Sequence, residues 1–111
     1  MNSMKPAVLV IILNYGTYNF TLKMINEIHA NLEYDNYTIM VVDNCSPNES
    51  ARVLADKSKK LNYIFIENKK NTGYAAGNNI GIRYAINNGY KYSWILNNDV
   101  KLREKNVLTE L

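Results

Sequence analysis

The sequence predicts an α/β protein of three layers, with a parallel sheet of strand order 3-2-1-4 and helices on both faces. Short apolar runs alternate with segments of helical spacing in the order β-α-β-α-β-α-β, which is typical of a parallel sheet. The apolar run at residues 7–13 is continuous, as expected of a central strand that helices cover on both faces. A length of 111 residues suits one domain, so residues 1–111 are treated as a single unit.

The hydrophobic pattern after the turn at residues 14–16 predicts the first helix and the second strand. Apolar residues recur at helical spacing behind that turn, at Leu22, Ile25, Ile28 and Leu32. Residues 37–42 form the next strand-like run, which ends on Asp43. Ser46 and Glu49 then match a capping box with a proline between them, so we expect Ser46 to cap the second helix.

The remaining predicted elements are a third strand at 63–66, a third helix at 75–88 and a fourth strand at 92–96. Right-handed crossovers wind the first three strands outward in one direction, so the fourth strand lies on the other side of the first. Ligands of such sheets bind in the crevice at the carboxyl ends of the strands where the order reverses. We therefore expect the polar residues at these ends to converge there: Asn14, Tyr15, Asp43, Asn97, Asn98 and Asp99.

Composition and charge narrow the classes of function. The net charge of +3 comes from scattered lysines whose one dense cluster is typical of a solvated surface, so we expect a phosphate-bearing small ligand rather than nucleic acid. The single cysteine cannot form an internal disulfide, which favours a reducing compartment. The longest apolar run is too short to span a bilayer. We expect a cytoplasmic protein and leave open an association with the inner face of the membrane.

Residues 71–81 place small residues at the start of the third helix, where the backbone can approach a ligand or the sheet closely. This arrangement differs from the dinucleotide-binding fingerprint, which needs Gly-x-Gly-x-x-Gly directly after the first strand. The chain has Asn14-Tyr15-Gly16 at that position, which argues against a nicotinamide enzyme.

Three consecutive motifs resemble those of family 2 glycosyltransferases, and most closely the bacterial rhamnosyltransferase-like members. They are Val41-Val42-Asp43-Asn44, Asn71-x-Gly73-x-Ala75-x-Gly77-Asn78-x-x-Gly81 and Trp94-Ile95-Leu96-Asn97-Asn98-Asp99. The resemblance runs from Val8 to Leu111 in the family's order and spacing. It implies a GT-A fold whose first half binds a nucleoside-diphosphate sugar, for transfer of the sugar to an acceptor hydroxyl in bacterial surface polysaccharide synthesis.

The resemblance also implies roles for individual residues. Asn14 and Tyr15 would line the nucleotide pocket, and Asp43 would hydrogen-bond the base or the ribose. Further contacts to the nucleotide and the sugar would come from Asn71, Gly73, Asn79 and Asn98.

A divalent metal is expected at the end of the fourth strand, because Asp99 corresponds to the last aspartate of the family's Asp-x-Asp motif. Hard oxygen ligands suit Mn²⁺ or Mg²⁺, and such an ion neutralises the charge that develops on a diphosphate leaving group. Asn97 replaces the first aspartate of the motif and would offer an amide oxygen. We therefore expect weak metal affinity in the absence of nucleotide.

In the resembling family, the stretch that follows Asp99 supplies the acceptor pocket and the catalytic base. We therefore expect a donor-binding domain that is truncated before the acceptor half and has no catalytic base of its own. The alternative is a non-catalytic nucleotide-binding remnant or an interaction module. An open apolar edge at the fourth strand, with Trp94, Ile95 and Leu96, also predicts a homodimer or a pairing with another polypeptide through that edge.

Overall fold

The structure is a computed structural model that describes residues 6–70 and 74–97. Over these ranges the chain contains every predicted strand and helix in the predicted order. The strands are β1 (Val8–Asn14), β2 (Tyr37–Asn44), β3 (Ile64–Asn68) and β4 (Tyr92–Asn97). The helices are α1 (Tyr18–Asn31), α2 (Ser50–Leu61) and α3 (Tyr74–Asn87).

The strands form one parallel sheet in the order β3-β2-β1-β4, which confirms the predicted topology. β1 pairs with β2 along its whole length, so Asn14 lies opposite Asp43. On its other side β1 pairs with β4, and Leu13 lies opposite Asn97. The strand order reverses between β1 and β4, so the carboxyl ends of β1, β2 and β4 share the edge where ligands of such sheets bind.

Helices cover both faces of the sheet and create two hydrophobic cores. Alternate residues of β1 point to opposite faces, and all seven are buried. One core joins β1 and β2 to α1 and α2 through Val10, Ile12, Ile25, Ile28, Val41 and Leu54. The other core joins β1 and β2 to α3 through Leu9, Ile11, Met40, Val42 and Ala85. Within the described ranges, none of the helices combines the length and the apolar character needed to cross a membrane.

His29 lies on the exposed surface of α1 and joins this helix to the end of α2. Its Nε2 lies 3.1 Å from the Leu61 carbonyl oxygen and 3.2 Å from the Asn62 carbonyl oxygen, while Nδ1 lies 2.8 Å from the Tyr37 hydroxyl. Carbonyl oxygens only accept, so Nε2 donates to them. Burial raises the pKa of Tyr37, which keeps that hydroxyl protonated. His29 therefore has a structural role at the amino end of β2.

The predicted capping box at the start of α2 is wrong. α2 begins at Ser50, and Glu49 occupies the N-cap position without a capping side-chain hydrogen bond. The Ser50 N–H donates instead to Asn48 Oδ1 at 3.0 Å. Cys45, with φ 61°, turns the backbone sharply after β2, and Ser46 makes its hydrogen bonds to the strand ends rather than to the helix.

Candidate functional site

Asp43 is the centre of a buried hydrogen-bond network at the carboxyl edge of the sheet. Its Oδ1 accepts from Asn14 Nδ2 at 2.8 Å and from the Ser46 hydroxyl at 2.6 Å. Its Oδ2 accepts from the Ser46 backbone N–H at 3.1 Å. Asp43 and Asn14 both have 0% of their surface exposed. The predicted convergence of the ends of β1 and β2 is therefore confirmed.

The network continues from Asn14 into α1. The Thr21 hydroxyl donates to Asn14 Oδ1 at 2.6 Å, and Thr21 is fully buried. The Asn14 side chain thus donates to β2 and accepts from α1, which fixes the orientation of its amide group. Three elements are held together by polar contacts at a point where an unpaired polar group would cost about 1–3 kcal/mol.

The loop after β1 is held by side chains from the loop after β2. The Gly16 N–H donates to the Ser46 hydroxyl at 2.7 Å, and the Gly16 carbonyl oxygen accepts from Asn48 Nδ2 at 3.1 Å. Gly16 has φ +70°, a conformation that favours glycine, although a Cβ there would meet nothing within 4 Å. Tyr15, the preceding residue, is 52% exposed. The loop therefore presents an aromatic ring and a phenol hydroxyl to solvent beside the network.

A second group of amide side chains joins the ends of β2 and β3 beneath α3. Asn68 Nδ2 donates to Asn44 Oδ1 at 2.8 Å. Gly77 brings α3 close to them, because a Cβ at Gly77 would lie 3.7 Å from Asn44 Cγ. Asn78 Oδ1 is buried and finds no hydrogen-bond partner in the described part of the chain, whereas the neighbouring Asn79 is exposed. The start of α3 thus carries amide groups close to the strand ends.

The predicted site residues fall into three sets. Asn14 and Asp43 are brought together in the buried network, with Tyr15 exposed beside it. Asn79 is exposed on α3, and the backbone of Asn97 ends β4 opposite Leu13. The other predicted residues lie outside the described ranges: Asn71, Gly73, Asn98 and Asp99.

The predicted metal ligands are compatible with a hard divalent cation in their chemistry, since an amide oxygen and a carboxylate are both oxygen donors. β4 carries Asn97 to the carboxyl edge beside the end of β1, as such a site requires. Within residues 6–70 and 74–97 themselves, no group of three or more His, Cys, Asp or Glu residues is placed to hold a metal ion.

Sequence reasoning missed three polar residues of the network. The sequence context of Ser46 predicts a helix cap and gives no indication of its contacts with Asp43 and Gly16. Asn48 bonds both Gly16 and the start of α2. The sequence could have indicated a polar contact for Thr21, because this hydroxyl residue lies on the buried stripe of α1 that otherwise contains Met24, Ile25 and Ile28. A polar residue on such a stripe indicates a buried partner.

The sheet order and the polar carboxyl edge agree with an α/β domain of the GT-A type, and comparison with known proteins identifies its family. The sequence profile described as Glycosyl transferase family 2 matches residues 9–111. The chain therefore belongs to glycosyl transferase family 2. A comparison with curated protein sequences finds no match.

Solved structures share the fold at low sequence identity. S. aureus TarS superposes with a TM-score of 0.73 at 19% identity, over 94% of this chain and 18% of TarS. S. aureus TarS 1–349 in complex with UDP-GlcNAc has a TM-score of 0.74 at 19% identity, over 94% of this chain and 29% of that one. The mannosyltransferase PcManGT from Pyrobaculum calidifontis, in complex with GDP-Man and Mn²⁺, has a TM-score of 0.61 at 23% identity, over 75% of this chain and 25% of that one. The chain thus spans less than a third of each of these proteins.

Proposed function

We propose that this chain binds the donor of a glycosyl transfer, a nucleoside-diphosphate sugar, together with Mn²⁺ or Mg²⁺ at the carboxyl edge of the sheet. The observation that carries the proposal is the buried contact between Asn14 and Asp43, which joins the ends of β1 and β2 beside the point where the strand order reverses. The ligands of similar structures support this class of donor, since TarS 1–349 holds UDP-GlcNAc and PcManGT holds GDP-Man with Mn²⁺.

The nucleotide would lie against the loop after β1. Tyr15 is exposed there and offers both a ring face and a hydroxyl. Asn14 and Asp43 would lie beneath the nucleotide and support it, and because both are 0% exposed, a direct contact of Asp43 with the base or the ribose would require displacement of the Ser46 hydroxyl. Two exposed lysines, Lys69 and Lys70, follow β3, and their charges favour a ligand that carries phosphate.

The sugar and the diphosphate would extend toward the start of α3 and the end of β4. Asn79 is exposed on α3 for such a contact, and Asn71, Gly73 and Asn98 complete the proposed donor contacts. Asp99 and Asn97 would hold the metal ion. Bound there, the ion would offset the negative charge of the departing diphosphate.

The reaction class that follows is transfer of the sugar to an acceptor hydroxyl, and we propose bacterial surface polysaccharide as the product. Such a transfer needs a base that deprotonates the attacking hydroxyl, and we assign none of the described residues to that role. The chain would therefore serve as the donor-binding part of a transferase. A cytoplasmic site of action agrees with a single cysteine, which cannot form a disulfide within the chain.

Donor binding is expected to raise the melting temperature of the chain. A panel of UDP, GDP and dTDP with Mn²⁺, followed by differential scanning fluorimetry, should give a shift of several degrees with at least one nucleotide, because a ligand at about 100 times its Kd contributes about 2.7 kcal/mol. Asp99→Ala should remove most of the part of the shift that depends on Mn²⁺.

Asp56→Ala is the matched control for this experiment. Asp56 lies on the exposed face of α2, where it pairs with Arg52 at 3.8 Å, so its loss should leave the nucleotide shift unchanged. The assignment of a nucleotide site is contradicted when none of the three nucleotides shifts the wild-type melting temperature.

We also propose that the chain forms a homodimer through β4. Among the described strands, β4 pairs with β1 alone, and its residues include the half-buried Trp94 and Ile95. An unpaired strand edge can hydrogen-bond to a second copy. Sedimentation velocity should show a dimer at high protein concentration, and Ile95→Lys should shift the population toward monomer. A monomeric wild-type chain at the highest concentration reached would rule the dimer out.

A further inference from the structure

We propose that Ser46 is a positioning residue of the donor site, which holds the loop after β1 in the conformation that presents Tyr15. The hydroxyl of Ser46 donates to Asp43 Oδ1 at 2.6 Å and accepts from the Gly16 N–H at 2.7 Å. It therefore connects a fully buried carboxylate to the backbone of the loop. The identity of the ligand rests on the proposed function, whereas the connection itself does not.

Asn48 completes this arrangement from the same loop. Its Nδ2 donates to the Gly16 carbonyl oxygen at 3.1 Å, so the two polar backbone groups of Gly16 are both bonded by side chains that follow β2. We call Ser46, Asn48 and Gly16 the loop clamp. Gly16 has φ +70°, and an isolated loop of this kind has many alternative conformations. The loop clamp selects one of them and thereby orders Tyr15 before any ligand binds.

Two modes of nucleotide binding predict opposite effects of removing the Ser46 hydroxyl. In one the base contacts Asp43 directly, and in the other it contacts the loop that the loop clamp orders. A base that displaced the Ser46 hydroxyl from Asp43 Oδ1 would have to break the 2.6 Å hydrogen bond, so removal of the hydroxyl would favour binding. A base that contacts the ordered loop needs the hydroxyl, so its removal would weaken binding. Asp43 is 0% exposed and its oxygens accept three hydrogen bonds from Asn14 and Ser46, which favours the second case.

The test combines nucleotide binding with hydrogen exchange. Calorimetric titration with UDP, GDP or dTDP in the presence of Mn²⁺ should give an affinity about tenfold lower for Ser46→Ala than for the wild-type chain. The Gly16 amide, followed by NMR, should exchange about tenfold faster in this variant, since the lost hydrogen bond is of the usual strength. Ser46→Thr retains a hydroxyl and should restore both values. Ser58→Ala is the matched control, because the Ser58 hydroxyl donates at 3.1 Å to Ala55 of its own helix.

Unchanged or tighter nucleotide binding by Ser46→Ala would overturn the positioning role. Unchanged exchange at Gly16 would overturn the loop clamp itself. If Ser46→Ala does not fold, Asn48→Ala tests the other bond of the loop clamp, since it removes the hydrogen bond to the Gly16 carbonyl oxygen and leaves the Gly16 N–H bonded to Ser46. This variant should bind the nucleotide more weakly while the Gly16 amide exchanges at nearly the wild-type rate, and unchanged binding would overturn the role of the loop clamp in the donor site. Failure of the wild-type chain to bind any of the nucleotides would overturn the proposed function and the positioning role together, while the exchange rate at Gly16 would still decide whether the loop clamp exists.

Discussion

Asp43→Ala is expected to lower the free energy of unfolding by about 3–5 kcal/mol and to abolish nucleotide binding. The substitution removes a fully buried carboxylate that accepts three hydrogen bonds, two at Oδ1 and one at Oδ2. Among the residues that the structure describes, Asn14 Nδ2 would retain the Ser46 hydroxyl at 3.5 Å as its hydrogen-bond partner. Since domains of this size are stable by about 5–15 kcal/mol, the variant should be folded only marginally. Urea denaturation measures the change directly.

Two further variants distinguish the effect of losing the hydrogen-bond network from the effect of losing an acidic side chain in general. Asp43→Asn keeps the shape of the side chain and the acceptor at Oδ1 but turns an amide N–H₂ toward the Ser46 N–H, so it should cost about 1–3 kcal/mol. Asp56→Ala removes an exposed carboxylate and a surface ion pair, and should cost less than about 1 kcal/mol. A loss below about 1 kcal/mol for Asp43→Ala would contradict the structural role of the network.

Gly81→Ala is expected to destabilise the chain by about 1–2 kcal/mol, although alanine is the better helix former. A Cβ at Gly81 would lie 2.6 Å from Ile11 Cδ1, 2.8 Å from Cγ2 and 2.9 Å from Cγ1. Ile11 is fully buried in β1, so neither the strand nor the helix can move without disturbing a core. Overpacking of this kind costs about 1–3 kcal/mol, and the gain of about 1 kcal/mol in helix propensity offsets only part of it.

The same helix provides the control for this prediction. A Cβ at Gly77 would lie 3.3 Å from Leu13 Cδ2, so Gly77→Ala needs only a small adjustment and should be close to neutral. Ile11→Ala removes the three atoms that Gly81→Ala would strike. In a double-mutant cycle by chemical denaturation, the two substitutions together should therefore cost at least about 1 kcal/mol less than the sum of each alone. Additive effects would show that α3 and β1 are not in close contact at this point.

Much of the fold could be predicted because its signals are local or follow from handedness. The continuous apolar run of β1 indicates burial on both faces, and all of its residues are buried. The order β3-β2-β1-β4 agrees with right-handed crossovers in which β4 pairs with the free edge of β1 rather than with the free edge of β3. The same topology brings Asn14 beside Asp43, so part of the site could be predicted before any contact was known.

The polar contacts within the site could not be predicted in this way. Ser46 has the sequence context of a helix cap, and that motif depends only on nearby residues. In the structure its hydroxyl bonds Gly16, which is 30 residues away in the sequence, and Asp43. A capping serine would accept from a backbone N–H of the helix, whereas the Ser46 hydroxyl accepts from the Gly16 N–H and donates to the buried carboxylate. An unpaired buried acceptor costs about 1–3 kcal/mol and a helix cap contributes about 0.5–2 kcal/mol, which favours the tertiary contact.

The sequence by itself determined the elements of this chain, their order in the sheet and the edge at which polar residues gather, because hydrophobic periodicity and chain handedness act through near neighbours. The tertiary structure alone decided which atoms meet there. It placed Asp43 out of reach of solvent, joined Thr21 to Asn14 and held Gly16 with Ser46 and Asn48. These hydrogen bonds need donor–acceptor distances of about 2.5–3.2 Å, matched to within a few tenths of an ångström between residues far apart in the chain, and no local pattern encodes that match.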